Sequence, residues 1–430
     1  MNNQLDVKID GGYDIALPNM YKVRQIFDNA KLESIPEAAK AEINKEEVKS
    51  RIKPGDRVAV AVGSRGIANL FEIVQSVIKE LKDLGADPFV FPAMGSHGGA
   101  TAEGQREVLA SYNITEEALG VEIKSSMEVI ELGKTDTGMP VYLDKYASEA
   151  DSIVLIARVK AHTDFKAEYE SGLMKMMGIG LGKHKGATKI HSYGFDQFHR
   201  VIPEVGTYVL QHSKVAFGIA ILENAYDETR KIVAVPADEM IEKEKALLEE
   251  SKALLPKILA PEIDVLIVNE IGKDISGAGM DPNITGRTGS GLPGFEAPPI
   301  QKVLVLDLTE KTHGNACGIG LADVTTRRLV NQIDFNYTYA NSITSTVLGP
   351  AKIPVAMNND REALVVALKT CTRITIPEAK IVRIKNTLDL EEVMVSEAVY
   401  NELKDNDNIE VLEGPFQLSF DEENFINDNM

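Results

Sequence analysis

Apolar positions along this chain follow two rhythms. The first is short and unbroken: DRVAVAVG at 56–63, DPFVFPAM at 87–94, DSIVLIARV at 151–159, VAFGIAILEN at 215–224 and KIVAVPAD at 231–238. It returns as EIDVLIVNEIG at 262–272, QKVLVLDL at 301–308, KIPVAMN at 352–358 and KIVRIKN at 380–386. Runs of this length, bounded by turn residues, read as strands buried on both faces. GVEIKSS at 120–126 reads as a further, weaker strand. The second rhythm is helical. NLFEIVQSVIKELKDLG (69–85), TAEGQREVLASYNIT (101–115), EMIEKEKALLEESKALLPKIL (239–259), ADVTTRRLVNQI (322–333) and REALVVALKTC (361–371) place apolar residues three and four apart. Strand and helix alternate, which predicts an α/β fold with mostly parallel sheets and helices on both faces.

The proline break after the helix at 239–259 and the fresh strand at 262 divide the chain near residue 260, give or take ten. The expectation is two α/β domains, 1–260 and 261–430, with an active site in the cleft between them. The first 52 residues read as a short β-rich edge followed by a linker and a charged helix, within the first domain. The acidic stretch NELKDNDNIEVLEG from Asn401 reads as surface with a last small packing element.

Composition narrows the partners. The net charge is −19, which on average repels nucleic acid and anionic lipid. A small anionic ligand is still admitted where lysines and arginines gather locally. Two cysteines, Cys317 and Cys371, make neither a disulfide framework nor a four-thiolate metal site. The opening MNNQLDVKIDGGYDIALP has no apolar core segment of the signal-peptide kind, and no apolar run is long enough to span a membrane. A cytoplasmic setting is expected, and a homo-oligomer is compatible with it.

Three strands end in residues suited to chemistry, and open α/β sheets bind ligands beyond the carboxyl ends of their strands. They end in Ser64–Arg65–Gly66, in Gly95–Ser96–His97–Gly98–Gly99 and in Lys160–Ala161–His162. If the strands are neighbours, Arg65, His97 and His162 converge. Arg65 suits a bidentate carboxylate contact, or a salt bridge at the sheet rim. His97 and His162 suit paired acid and base work. Locally satisfied rings are the plainer reading, with Asp164 placed to orient His162.

The stretch from Arg158 to His191 holds three of the seven histidines. Within it, Lys175 lies among Leu173, Met174, Met176 and Met177, where a desolvated amine can bond to a carbonyl-type carbon. The same lysine could simply snorkel to the surface. Gly178, Gly180 and Gly182, with Lys183 and Lys185, suggest a phosphate-binding loop, a weak signal without the P-loop pattern. His184, His191 and His199 are candidate metal ligands, and nickel accepts imidazole. Past residue 262, NEIGKDISGAGMDPNITGRTG offers Lys273, Asp281, Asn283 and Arg287 to the cleft, or forms ordinary polar turns.

Taken together, SRG after an apolar strand, GSH before a helix, His162 followed by Gly172–Leu173–Met174–Lys175, and His191 sixteen residues past that lysine resemble the nickel-dependent lactate racemase family. The resemblance covers residues 55–290 by motif. It implies two α/β domains and a nickel-pincer nucleotide, a nickel-holding pyridinium mononucleotide joined covalently to Lys175. It implies that His191 supplies a nickel ligand, that Arg65 binds the substrate carboxylate, and that His97 and His162 alternate as acid and base. The implied activity is racemisation or epimerisation of a small anionic 2-hydroxy acid, lactate-like or larger, by proton-coupled hydride transfer, with the cofactor's biosynthetic enzymes as partners for loading.

The chain is a divergent member in this reading. The acidic and proline residues that flank the family's first arginine are absent from VGSRGIAN. Gly98 stands where an arginine follows the histidine. Leu173–Met174 replaces the Gly–Arg before the lysine. Arg287 and Asn283 are the expected substrate contacts from the second domain. A redox or dehydratase-like reaction on a hydroxy acid with the same cofactor, and a non-catalytic nucleotide- or nickel-binding protein, are the alternatives.

Overall fold

In the computed structural model, which describes residues 5–63 and 66–427, the chain is α/β and divides into two compact units. Asp28–Leu255 forms one. Met1–Phe27 and Pro256–Met430 form the other.

The Asp28–Leu255 unit is built on a five-stranded sheet. Its order is Asp87–Pro92, Arg57–Val62, Ser152–Arg158, Val215–Glu223, Thr229–Pro236. The first four run parallel and the last pairs antiparallel with its neighbour. The unbroken apolar runs are explained by burial on both faces: Val58 through Val62 are all fully buried. The helix Leu70–Asp83 packs one face, burying Ile73, Val74, Val77, Ile78 and Leu81. The helix Ala102–Ser111 begins where Thr101 accepts the N–H of Gly104 at 3.0 Å, a side-chain cap of the expected kind.

The other unit carries an eight-stranded sheet. Val355–Met357, Val324–Thr326, Ile300–Leu308, Ile263–Ile271 and Ile381–Ile384 run parallel. Glu392–Ser396, Met20–Gln25 and Ile409–Phe416 continue it with antiparallel pairing. No helix among the described residues is long and apolar enough to cross a membrane.

Three details differ from the sequence pattern. Residues 1–27 join the C-terminal unit, because Met20–Gln25 lies between Glu392–Ser396 and Ile409–Phe416. The acidic stretch from Asn401 leaves the helix Glu397–Leu403 and forms the edge strand Ile409–Phe416. GVEIKSS supplies only a bridge from Ile123 to Val90. Its charged neighbours turn outward, Glu122 to Arg57 at 2.6 Å and Lys124 over the Phe89 ring. The hairpin Val129–Lys134 with Pro140–Asp144 had no clear signal, since its first strand is mostly exposed.

The placement of Met20 sets a test of this division. Its side chain is fully buried in the C-terminal unit. Met20→Ala should cost that unit about 2–5 kcal/mol. Hydrogen exchange should lose protection in Ile263–Ile271 and Glu392–Ser396 while Arg57–Val62 stays protected. Equal loss in both units would contradict the division.

Candidate active site

The parallel register brings Pro92 and Ile156 level with Val62 on either side. The loops that follow these three strands leave the same sheet edge. His97 and His162 are thus carried by loops on two strands that flank a third. Ser64 and Arg65, at the end of that third strand, lie outside the described residues.

His97 is exposed at the tip of its loop. The loop is held from beneath by Gln105, a fully buried side chain whose amide donates to the carbonyls of Gly95 at 2.9 Å and His97 at 3.3 Å. Gly98 is held to glycine by its backbone and its neighbours. Its φ is +62°, and a Cβ there would lie 2.5 Å from the Gln105 nitrogen. The next turn of chain folds too closely on the helix Ala102–Ser111 for any side chain.

His162 is mostly buried. Its ring lies 4.5 Å from the Phe165 ring and 6.2 Å from Phe195. Asp164 does reach it, through the backbone: the Asp164 N–H donates to Nδ1 at 3.0 Å, while its carboxylate is 3.7 Å away.

The segment after Gly172 is one short helical turn, Leu173–Lys175, a π turn over Met176–Gly180, and the helix Lys183–His191. The π turn shows directly in the bond from Leu181 N–H to the Met176 carbonyl, 2.9 Å. Such turns recur at functional sites because they rotate side chains out of helical register. Lys175 is half-buried on the first turn. His191 ends the helix against Phe195 and Phe198, with ring centres 5.7 and 5.2 Å away. Burial first, and then the charge of Lys175, push the His191 imidazole down to about 4. His191 is therefore neutral near pH 7, with a lone pair to offer. His162 and His191 face a shared ring, Phe195.

Two buried acids organise this region, and neither announces itself in the sequence. Glu244, on the helix Met240–Leu254, accepts the Met174 N–H at 2.9 Å, satisfying a backbone donor at the start of the turn that carries Lys175. Gly172 is glycine because a Cβ would lie 2.3 Å from a Glu244 oxygen. Burial raises the Glu244 carboxyl to about 7. Glu170 lies under the His162 loop and accepts the His162 N–H at 2.6 Å. Glu244 reaches its target from 70 positions away and Glu170 from eight, across a loop whose fold has no periodic pattern to mark it.

Several expected ligand contacts have other surroundings. Lys183 is fully buried, with its ammonium on the Pro92 carbonyl, 3.2 Å from Gln105 Oε1 and 3.2 Å from Asp144 Oδ2. Burial lowers its pKa and raises that of Asp144, each partly offset by the other. Its φ of +53° costs roughly 1–3 kcal/mol. Lys183 thus braces the fold, where a phosphate contact was expected. Gly178, Gly180 and Gly182 are likewise buried at packing contacts, Gly180 so tightly that a Cβ would lie 2.7 Å from the Ala93 carbonyl. Lys185 is exposed, its ammonium 4.4 Å from the Tyr142 ring centre. Arg287 and Asn283 belong to the C-terminal unit. The Arg287 guanidinium is held by Asp323 at 2.8 Å and by the Gln301 carbonyl at 3.2 Å. Asp281 caps the short turn Pro282–Thr285, and Asn283 donates both its backbone N–H and its side-chain amide to that carboxylate, each at 2.8 Å. A substrate carboxylate would have to displace Asp323 from Arg287.

Residues 4–200 match the family model of the lactate racemase N-terminal domain. That stretch contains His97, His162, Lys175 and His191. No curated protein sequence matches the chain. Among solved structures, the chain is similar to the lactate racemase apoprotein from Thermoanaerobacterium thermosaccharolyticum. That likeness has a TM-score of 0.52 at 13% identity, over 86% of this chain and 99% of that one, and at such identity it speaks for the fold alone.

Glu244 gives this region a pH signature. Its folded value near 7 exceeds its ordinary 4.5, so its contribution to stability is full below about 4.5 and is lost as pH rises through 7. The loss is on the order of 3 kcal/mol. Glu244→Gln keeps an acceptor for the Met174 N–H and does not ionise. The fall in melting temperature from about pH 5 to about pH 8 should be smaller in the variant than in the parent. Equal falls would contradict the buried-acid account.

Proposed function

The chain belongs to the lactate racemase family through its N-terminal domain, and from that premise we propose that it racemises or epimerises a 2-hydroxy acid with a nickel-pincer nucleotide. One observation carries the reading. His162 and His191 pack against the same ring, Phe195, within the stretch that matches the lactate racemase N-terminal domain.

The donor set fits such a group. Lys175 offers an amine for the covalent link, and His191 offers a neutral imidazole nitrogen to nickel. Among the described residues, no three His, Cys, Asp or Glu side chains gather to hold a metal ion. A metal at His191 would therefore take its remaining ligands from a bound group. When bound, the nucleotide supplies the acceptor for the hydride leaving carbon 2 of the substrate.

The chain's own residues do the rest. His97, at the open edge of the sheet, exchanges a proton with the 2-hydroxyl oxygen. His162 faces that oxygen from the second loop and carries the partner role. Arg65 takes the substrate carboxylate, as the motif implies. Phe165, Phe195 and Phe198 form an apolar wall beside His162 and His191, which excludes water and strengthens the charges acting there. The substrate is a small anionic 2-hydroxy acid, with Gly98 and Leu173–Met174 as departures that move the pocket away from the lactate pattern. Loading depends on the enzymes that make the cofactor. The unpaired Cys317 and Cys371 suit a reducing, cytoplasmic setting.

The test is turnover of protein loaded by co-expression with those enzymes, on a panel of single-enantiomer 2-hydroxy acids followed by chiral chromatography. The parent should interconvert at least one pair. His97→Ala and His162→Ala should keep the cofactor, and His97→Ala should lower kcat by on the order of 10²–10⁴-fold. Full activity in either variant would overturn its assigned role.

A further inference from the structure

The loop that carries His162 is more tightly built than a surface turn requires. Lys160 and Ser171 exchange backbone hydrogen bonds of 2.9 and 3.1 Å, closing it at the base. Phe165, 1% exposed, fills it and packs on the His162 and Phe198 rings. Inside sits Glu170, whose side chain is wholly buried. Its Oε2 accepts the His162 backbone N–H at 2.6 Å and the Lys166 ammonium at 3.1 Å. Its Oε1 accepts the Ala167 N–H at 3.4 Å and pairs with Lys252, from the helix Met240–Leu254, at 3.0 Å. Lys166 also reaches back to the His162 carbonyl at 3.3 Å. A carboxylate removed from water this completely is tolerated because two ammonium groups and two backbone N–H groups surround it.

We propose that Glu170 is a positioning residue that holds His162 in its Nε2–H tautomer, so that the ring presents a proton donor to the substrate. The inference rests on the reading of His162 as substrate-facing. With its backbone anchored on Oε2, the chain turns so that the Asp164 N–H meets Nδ1 at 3.0 Å. A backbone N–H only donates, so Nδ1 is the accepting nitrogen and the neutral ring carries its proton on Nε2. The Asp164 carboxylate, 3.7 Å from Nδ1, is beyond hydrogen-bond reach and does not set the tautomer. The two histidines are then unequal. In its neutral form His162 offers an N–H hydrogen bond to a substrate oxygen and keeps its proton, and His97 is the histidine that both takes the hydroxyl proton and returns it.

Histidine-selective ¹⁵N labelling of the unloaded chain tests this without any cofactor. Long-range ¹H–¹⁵N spectra in mildly alkaline buffer separate the two neutral tautomers, and His162→Gln identifies the His162 signals. The expected pattern is Nε2–H. Glu170→Gln keeps an acceptor oxygen and removes the charge that draws in Lys166 and Lys252. It should shift His162 toward a mixture of tautomers. In loaded protein it should lower kcat by on the order of 10- to 100-fold, with the yield of cofactor adduct unchanged. If Glu170→Gln does not fold, Lys252→Met relaxes the same carboxylate from outside the loop, and the same tautomer shift is expected. An Nδ1–H pattern in the parent would overturn the proposal. So would a folded variant with the parent's tautomer and kcat. Failure to form a cofactor adduct would count against the proposed function and leave the tautomer result standing.

Discussion

The arrangement of the N-terminal unit depends on one close contact between backbones. The turn after Asp87–Pro92 lies directly on the π turn Met176–Gly180. A Cβ at Gly180 would sit 2.7 Å from the Ala93 carbonyl, and one at Gly95 would sit 3.0 Å from an Ile179 methyl. Gly95 also needs its φ of +57°. This contact couples the loop of His97 to the segment of Lys175 and His191. Without it, the chain would carry the same side chains on two independent loops, with no fixed relation between them.

Buried charge then fixes each piece. Lys183 and Asp144 tie the start of the His191 helix to the floor of the His97 loop through Gln105 and Pro92. Glu244 holds the turn of Lys175, and Glu170 holds the loop of His162. Such groups are poor sources of net stability. Desolvation consumes most of what pairing returns, and removing one partner of a buried pair costs about 3–5 kcal/mol. What they supply is directional: each bonds to a backbone carbonyl or N–H at a defined place, which apolar packing cannot do. The shared wall at Phe195, against which His162 and His191 both pack, follows from that bracing.

The sheet edge was legible in the sequence because its signal is local. Three apolar runs ending in polar, glycine-rich turns are sufficient to mark strand ends, and the structure sets those strands side by side. What failed to read locally depended on distant partners. Residues 20–25 look like an N-terminal edge until the strand is seen between 392–396 and 409–416. Lys183, beside glycines and exposed lysines, reads as a phosphate contact, yet Asp144 lies 39 positions earlier in the chain and draws it inward. Arg287 reads as a free cation, and Asp323 occupies it. The pairing of Asp164 with His162 was anticipated, but through the carboxylate. Which of its groups meets the ring is decided by a turn that Glu170 shapes eight residues away.

The central claim is that Lys175 and His191 together hold a nickel-bearing nucleotide. The most direct measurement is intact-protein mass with nickel content, after co-expression with the pincer-cofactor biosynthetic enzymes, for the parent and for Lys175→Ala. The account predicts a nucleotide-sized mass increase and near-stoichiometric nickel in the parent, and no increase in the variant. A folded parent of unmodified mass, beside a control enzyme that loads, would contradict it.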